Sequence, residues 1–200
     1  MFVESIQLNN YRNYDSADVT FSPGVNIFYG NNAQGKTNLL EAVYLSGTSR
    51  SHRSSKDKEL IRFGTEEAHI RLFFRKQELS HRLDFHLKLK KPKGIAIDGI
   101  PIKKTSELLG MLPIVFFSPE DLSMIKNGPS MRRKFLDMEM SQLDRTYLQY
   151  LTNYNHLLGE RNNLLKQIAV FPQLRETLDG WDDDVGDIPL VLLLVEVGLV

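Results

Sequence analysis

Three features of the sequence predict an α/β fold. A short apolar run, Val25-Asn26-Ile27-Phe28-Tyr29, leads into a glycine-flanked loop that opens a helix. Two later segments alternate apolar and polar residues with period two, as half-buried strands do. From Asn127-Gly128-Pro129 the pattern turns helical and stays so to about Ile168.

The loop is Gly30-Asn31-Asn32-Ala33-Gln34-Gly35-Lys36-Thr37, which fits G-x-x-x-x-G-K-[ST]. Leu39, Leu40, Val43 and Tyr44 follow at helical spacing, so the context is strand, loop, helix. Gly30 and Gly35 let the backbone turn tightly and approach phosphates closely. Amides from Asn32 to Thr37 then line an anion hole at a helix N-terminus. Lys36 reaches terminal phosphates as a point charge, and the Thr37 hydroxyl is the expected Mg²⁺ ligand. The candidate ligand set is therefore ATP with Mg²⁺, on residues 30–37.

The elements are expected in this order. Residues 2–9 and 17–21 form strands joined by Asn9-Asn10-Tyr11-Arg12-Asn13-Tyr14, and a third strand spans 25–29. The helix runs from Gly35 to Leu45. Residues 46–55 are polar and loop-like, and Asp57 to Phe63 suits a short helix. Ala68, Ile70, Leu72 and Phe74 share one face of a strand. Leu79, Leu83, Phe85, Leu87 and Leu89, with His81, share a face of the next. Lys90 to Gly94 turns into a strand at 95–97, and the wholly apolar Ile114 to Phe117 reads as a central strand. A helix from Ser130 to Met140 precedes a longer one. There, Leu143, Tyr147, Tyr150, Tyr154, Leu157, Arg161, Leu164 and Ile168 form a heptad-like stripe.

Composition limits the function classes. The 200 residues contain no cysteine, so disulfide frameworks and Cys zinc sites are excluded. The first residues lack the basic start and apolar stretch of a signal peptide. Leu190 to Val195 is too short to span a membrane. A cytoplasmic location and no membrane partner are expected. The five histidines show no metal-ligand spacing along the chain.

Net charge is zero but unevenly spread. From Arg50 to Lys104, fifteen Lys and Arg stand against seven Asp and Glu. That basic middle is where a polyanion is expected to bind. The candidate DNA-contacting residues are Arg50, Arg53, Arg71, Arg75, Arg82, Lys88 and Lys90, without an element built to enter a groove. Arg132 and Arg133 either bind DNA or pair with Asp137 and Glu139 on the same helix, pairing being the default. Glu120 and Asp121 are expected to cap a helix rather than hold a metal.

Several segments together resemble the RecF recombination-repair family. They are Asn9 to Tyr14, the loop with its Asn38-Leu39-Leu40-Glu41-Ala42 continuation, Ser51-His52-Arg53, Phe117 to Leu122, and Pro129 to Asp137. The resemblance runs from Met1 to about Leu178. It implies an ATPase head of ABC and SMC type, with mixed and antiparallel sheet and an inserted helical lobe. It also implies ATP-driven homodimerisation on single-stranded or gapped DNA. Recombinational repair and replication, the response to DNA damage (SOS), and RecO- and RecR-like partners follow from it. The corresponding divisions are a lobe at 1–125, a partial helical lobe at 126–179 and an atypical tail at 180–200.

No Ser-Gly-Gly signature sequence occurs, and Val191 to Glu196 only superficially resembles a Walker B strand ending in its acid. The fold is therefore expected to be C-terminally incomplete. Full-length relatives are expected to be weak DNA-dependent ATPases, and this chain is expected not to turn ATP over alone. The competing readings are a P-loop kinase and a non-catalytic nucleotide-binding fragment. A kinase would need an Arg-rich lid, and it leaves the long helix without a role.

Overall fold

A computed structural model of the chain describes residues 1–54, 56–122 and 129–177. The expected tail at 180–200, with Glu196, lies outside the described residues. The chain divides after Phe116 into two units.

The first unit is built on one antiparallel sheet of six strands in the order β2-β1-β3-β4-β5-β6. Its strands are β1 (Phe2–Tyr11), β2 (Tyr14–Thr20), β3 (Glu67–Lys76), β4 (Leu79–Lys88), β5 (Gly94–Ile97) and β6 (Ile100–Pro101). The alternation read from the sequence sets which face is buried. Ile6 and Leu8 of β1, Ala68, Ile70, Leu72 and Phe74 of β3, and Leu83, Phe85 and Leu87 of β4 are almost fully buried. The ends of β4 depart from the expectation. Leu79 and the adjacent Leu89 are exposed, because the covering layer does not extend to them.

That layer includes α1 (Lys36–Thr48), which contributes Leu39, Ala42 and Leu45 to the same core as Leu60, Leu108 and Leu112. α1 runs three residues beyond the predicted end. Its polar last turn bonds back to the helix instead of breaking it: the Ser46 hydroxyl donates to the Ala42 carbonyl (2.8 Å) and Thr48 to that of Tyr44 (2.8 Å). Ser49 then closes it in the left-handed region, with φ 59°.

Gly47 lies where α1 meets the chain at 112–114. A Cβ there would fall 2.6 Å from the Leu112 carbonyl oxygen and 2.7 Å from Ile114 Cδ1. Gly to Ala inside a helix ordinarily gains about 1 kcal/mol. Here the clash is with backbone, which cannot swing away, so overpacking wins. Gly47→Ala is expected to lower stability by about 1–3 kcal/mol, read as a lower urea midpoint. An unchanged or raised midpoint would show that the 112–114 segment yields freely.

Two predicted strands are not strands. Residues 25–29 have no ladder partner among the described residues, and Val25, Ile27 and Tyr29 are at least three-quarters exposed. Phe28 alone turns inward, edge-on to Phe21 at 5.9 Å. Ile114 to Phe117 likewise joins no sheet, and Val115 and Phe117 are exposed. An apolar run acquires strand pairing only where a neighbour offers free N–H and C=O groups.

In the second unit, α2 (Pro129–Leu143) and α3 (Arg145–Ile168) meet at Asp144. Asp144 caps α3 by accepting the Thr146 amide at 2.7 Å. Leu143, read as the first residue of the stripe, therefore ends α2 and is exposed. Tyr150, another stripe position, is also exposed; the rest of the stripe persists. Tyr147 is buried, and Tyr154, Leu157, Arg161, Leu164 and Ile168 are half-buried. The Tyr147 hydroxyl donates to Asp137 (2.6 Å), the acid expected to pair with Arg132 or Arg133. Asp121 accepts the Ser118 amide and hydroxyl, closing the short 3₁₀ turn Pro119–Leu122.

Candidate nucleotide site

The site is assembled from three stretches of the first unit: the β1–β2 turn, the 30–38 loop with the start of α1, and the loop after α1. Gly35 shows why the first two fit together. Its φ is 102°, and a Cβ on it would lie 2.8 Å from both Asn13 Nδ2 and the Tyr14 hydroxyl. The β1–β2 turn is thus wedged against the loop, and any side chain at 35 meets both strain and steric conflict. Asn38 Nδ2 donates to Asn13 Oδ1 at 2.7 Å and ties the helix to the same turn.

Lys36 folds back across the loop. Its ammonium donates to the carbonyls of Gly30 (2.8 Å) and Asn31 (2.6 Å). These are neutral acceptors at an exposed position, so among the described residues the charge has no counterion and is available to an incoming anion. Thr37 is exposed beside it. A cavity of about 200 Å³ is lined by Asn32, Ala33, Gln34, Gly35, Lys36, Thr37, Asn38 and Arg53.

Arg53 comes from the loop after α1, and a buried carboxylate sets its place. Glu41 has no exposed surface. It receives Arg12 through Nε (3.0 Å) and Nη2 (2.8 Å), the Ser51 hydroxyl (2.5 Å) and Arg53 Nη2 (3.1 Å). Arg53 Nη2 also donates to Asn38 Oδ1 at 2.6 Å. Ser51 shapes the turn by accepting the Arg53 and Ser54 amides. Lys93 anchors the start of this loop through the Ser49 carbonyl (2.6 Å) and Asp57.

Burial alone would raise the Glu41 carboxyl. Hydrogen bonds from Arg12 and Ser51, with the charges of Arg12 and Arg53, outweigh it and hold the group below its ordinary range. Burial, with the Glu41 carboxylate beside it, pushes the Tyr11 phenol far up. Arg12 is lowered by burial but raised more by its bonds and charge pairing with Glu41. The cluster is thus one carboxylate compensated by two arginines.

Sequence reasoning missed Glu41 and Arg12. One signal was present: Glu41 sits among Leu39, Ala42 and Leu45 on the inner face of α1, where an acid needs a cationic partner.

The other candidate cations are distributed over the sheet's outer face and its margins. Arg71 and Arg82 both bind Asp84, at 2.6 and 2.8 Å. Arg75 binds Glu4 at 2.9 Å. A register irregularity between Val3 and Ser5 places Glu4 there, with the Ser80 hydroxyl at 2.7 Å. Lys88 lies opposite Glu67. Arg50 and Lys90 are exposed outside the strands. Only Arg53 joins the nucleotide cavity.

Comparison with known proteins agrees with this geometry. The AAA domain family matches residues 5–180. A DNA replication and repair protein RecF of Lachnoclostridium phytofermentans is 58% identical over 92% of this chain and 51% of its own length. One of Clostridium perfringens is 44% identical over 90% of this chain and 50% of its own. A solved structure of the recombination mediator protein RecF-ATP in the RecFOR pathway superposes with a TM-score of 0.91. It is 38% identical and is covered over 52% of its chain, using 98% of this one. An SMC ATPase structure, 19% identical with a TM-score of 0.56, shares the fold. It is matched over 69% of this chain and 99% of its own. The chain spans about half the length of the curated relatives it matches. The chain belongs to the AAA domain family, and it matches the RecF proteins across the half of their length that it spans.

Proposed function

We propose that this chain is the ATP-binding half of a RecF-like protein of DNA repair and replication. The observation that carries the proposal is the cavity over residues 32–38, with Lys36 bonded to neutral loop carbonyls and with Arg53 fixed at its edge by Glu41. Residues 30–37 would hold the phosphates, and the Thr37 hydroxyl would ligate Mg²⁺. The Lys36 ammonium, held here on neutral loop carbonyls, would turn to the phosphates, whose negative charge Mg²⁺ would share. Arg53 stays in place because Glu41 and Asn38 hold its guanidinium from behind. The solved RecF-ATP relative supports this reading.

ATP-dependent pairing of two copies, work with RecO- and RecR-like proteins, and a cytoplasmic location belong to the same proposal. Among the described residues no helix is long and apolar enough to cross a membrane. The kinase alternative gains nothing from the structure, since Arg53 is committed to Glu41 and not carried on a lid.

DNA is the proposed polyanion, bound through phosphates by Arg50, Arg53, Arg71, Arg75, Arg82, Lys88 and Lys90. Asp84 and Glu4 offset three of the arginines, so about four net phosphate contacts are expected. Log K should then fall against log salt with a slope of roughly −3 to −4. Arg82→Glu with Lys88→Glu should flatten the slope by about one contact's worth through Lys88, Arg82 being already offset by Asp84, measured by fluorescence anisotropy on a gapped duplex. A slope that does not change would remove the sheet face from the DNA surface. Absence of salt-dependent binding would sink the DNA reading.

A further inference from the structure

We propose that Glu67, His69 and His86 form a surface site for a zinc-class divalent cation, separate from the nucleotide loop. Spacing along the chain hides it, because the ligands come from two strands. Glu67 and His69 are two apart on β3 and so share its outer face. His86 is the cross-strand partner of His69 in the β3–β4 ladder. Their rings stack with centroids 4.1 Å apart and 26° between planes. Both Nε2 atoms turn to one carboxylate: His86 to Glu67 Oε2 at 2.8 Å, His69 to Glu67 Oε1 at 3.7 Å.

The donor atoms of the three residues all lie within 4.8 Å of one another. A tetrahedral Zn²⁺ with bonds near 2.0–2.1 Å needs donors about 3.3 Å apart. Small side-chain rotations therefore admit the ion between the Nε2 atoms and the carboxylate. The side chains are one-third to one-half exposed, so the ion has an entry path.

The surroundings leave room for the remaining coordination positions. The residue opposite His86 on β5 is Gly94, which presents no side chain, and the residue opposite His69 on β1 is Asn9. Both line a cavity of about 610 Å³ over this face, together with Ser16 and the two histidines. Water or a polar group from that cavity completes the shell. Two imidazoles and one carboxylate favour Zn²⁺ and its neighbours Co²⁺ and Ni²⁺ over Mg²⁺, which prefers oxygen. Two cations flank the site on this face: Lys88, opposite Glu67, moderates affinity, and Arg71, beside His69, is paired with Asp84. The ion would clamp β3 to β4.

The test is Zn²⁺ titration of the untagged full chain against a chromophoric chelator. One Zn²⁺ per chain is expected. His69→Gln with His86→Gln should weaken it by roughly tenfold or more, whereas His156→Ala and Lys36→Ala should not. Zn²⁺ should raise the thermal midpoint of the wild type and leave that of the double variant in place. Should the double variant fail to fold, the wild type still decides. Histidine side-chain NMR signals of His69 and His86 should shift on adding Zn²⁺, while those of His52, His81 and His156 stay. No uptake by the wild type, uptake unchanged in a folded double variant, or shifts at the other histidines would each overturn the site.

Discussion

Lys36→Ala is expected to remove most ATP affinity while leaving the fold intact. Among the described residues the ammonium bonds only to the loop's own Gly30 and Asn31 carbonyls, so no other described element depends on it for position. Against a triphosphate the same ammonium becomes a charge-assisted donor at close range. Deleting one member of such a pair costs about 2–5 kcal/mol, or roughly thirtyfold to several thousandfold in Kd. Titration calorimetry with Mg²⁺–ATP measures the loss, and an unfolding free energy from urea titration within about 0.5 kcal/mol of wild type checks the fold. Equal affinity for the two proteins would mean that nucleotide, if bound, sits elsewhere.

Arg53→Ala separates the two walls of that cavity. Arg53 is one-third exposed, and Glu41 keeps Arg12 and Ser51 without it. Its loss should therefore affect nucleotide more than stability.

What the sequence made legible was local. The loop at 30–37 is contiguous, and its chemistry lies in residue types a few positions apart. The β3–β4 hairpin was legible because alternation is a period-two property of each strand: Ala68, Ile70, Leu72, Phe74, Leu83, Phe85 and Leu87 are buried as the pattern names them, and only the end positions Leu79 and Leu89 are exposed. The pairings between distant stretches were not legible. Glu41 meets Arg12 across 29 residues and Arg53 across 12. Read along the chain, it is a helix-favouring acid and Arg53 is a solvated loop cation. His69 and His86 face each other only once the ladder register is fixed, and Arg75 finds its acid on β1.

The failed strands at 25–29 and 114–117 show the reverse limit. Apolar content is intrinsic to a segment, but pairing belongs to a neighbour, and none stands beside them among the described residues. The polar end of α1 failed as a loop for a third reason. Ser46 and Thr48 satisfy themselves on carbonyls one turn back, so polarity did not end the helix.

Glu41→Gln is expected to have the largest effect on stability. Glutamine keeps the shape but leaves Arg12 and Arg53 facing a neutral amide, one of whose ends is a donor. Breaking a buried ion pair from one side costs about 3–5 kcal/mol. Arg12 and Arg53 both reach solvent, at 20% and 33% side-chain exposure, so water takes up part of their charge and the cost should fall near 3 kcal/mol. The dependence on pH distinguishes this cause from simple mispacking. The Glu41 carboxyl is held below its ordinary 4.5 in the folded chain. Its contribution is then complete above pH 4.5 and is lost as pH falls through the lower folded-state value. Wild type should outlast Glu41→Gln in urea at pH 7, and the gap between them should narrow as pH falls below 4.5. A gap that stays constant down to pH 3 would mean that the substitution acts through packing alone. No gap at pH 7 would mean that the ion cluster positions Arg53 without stabilising the fold, and weakened nucleotide binding would then be its only measurable consequence.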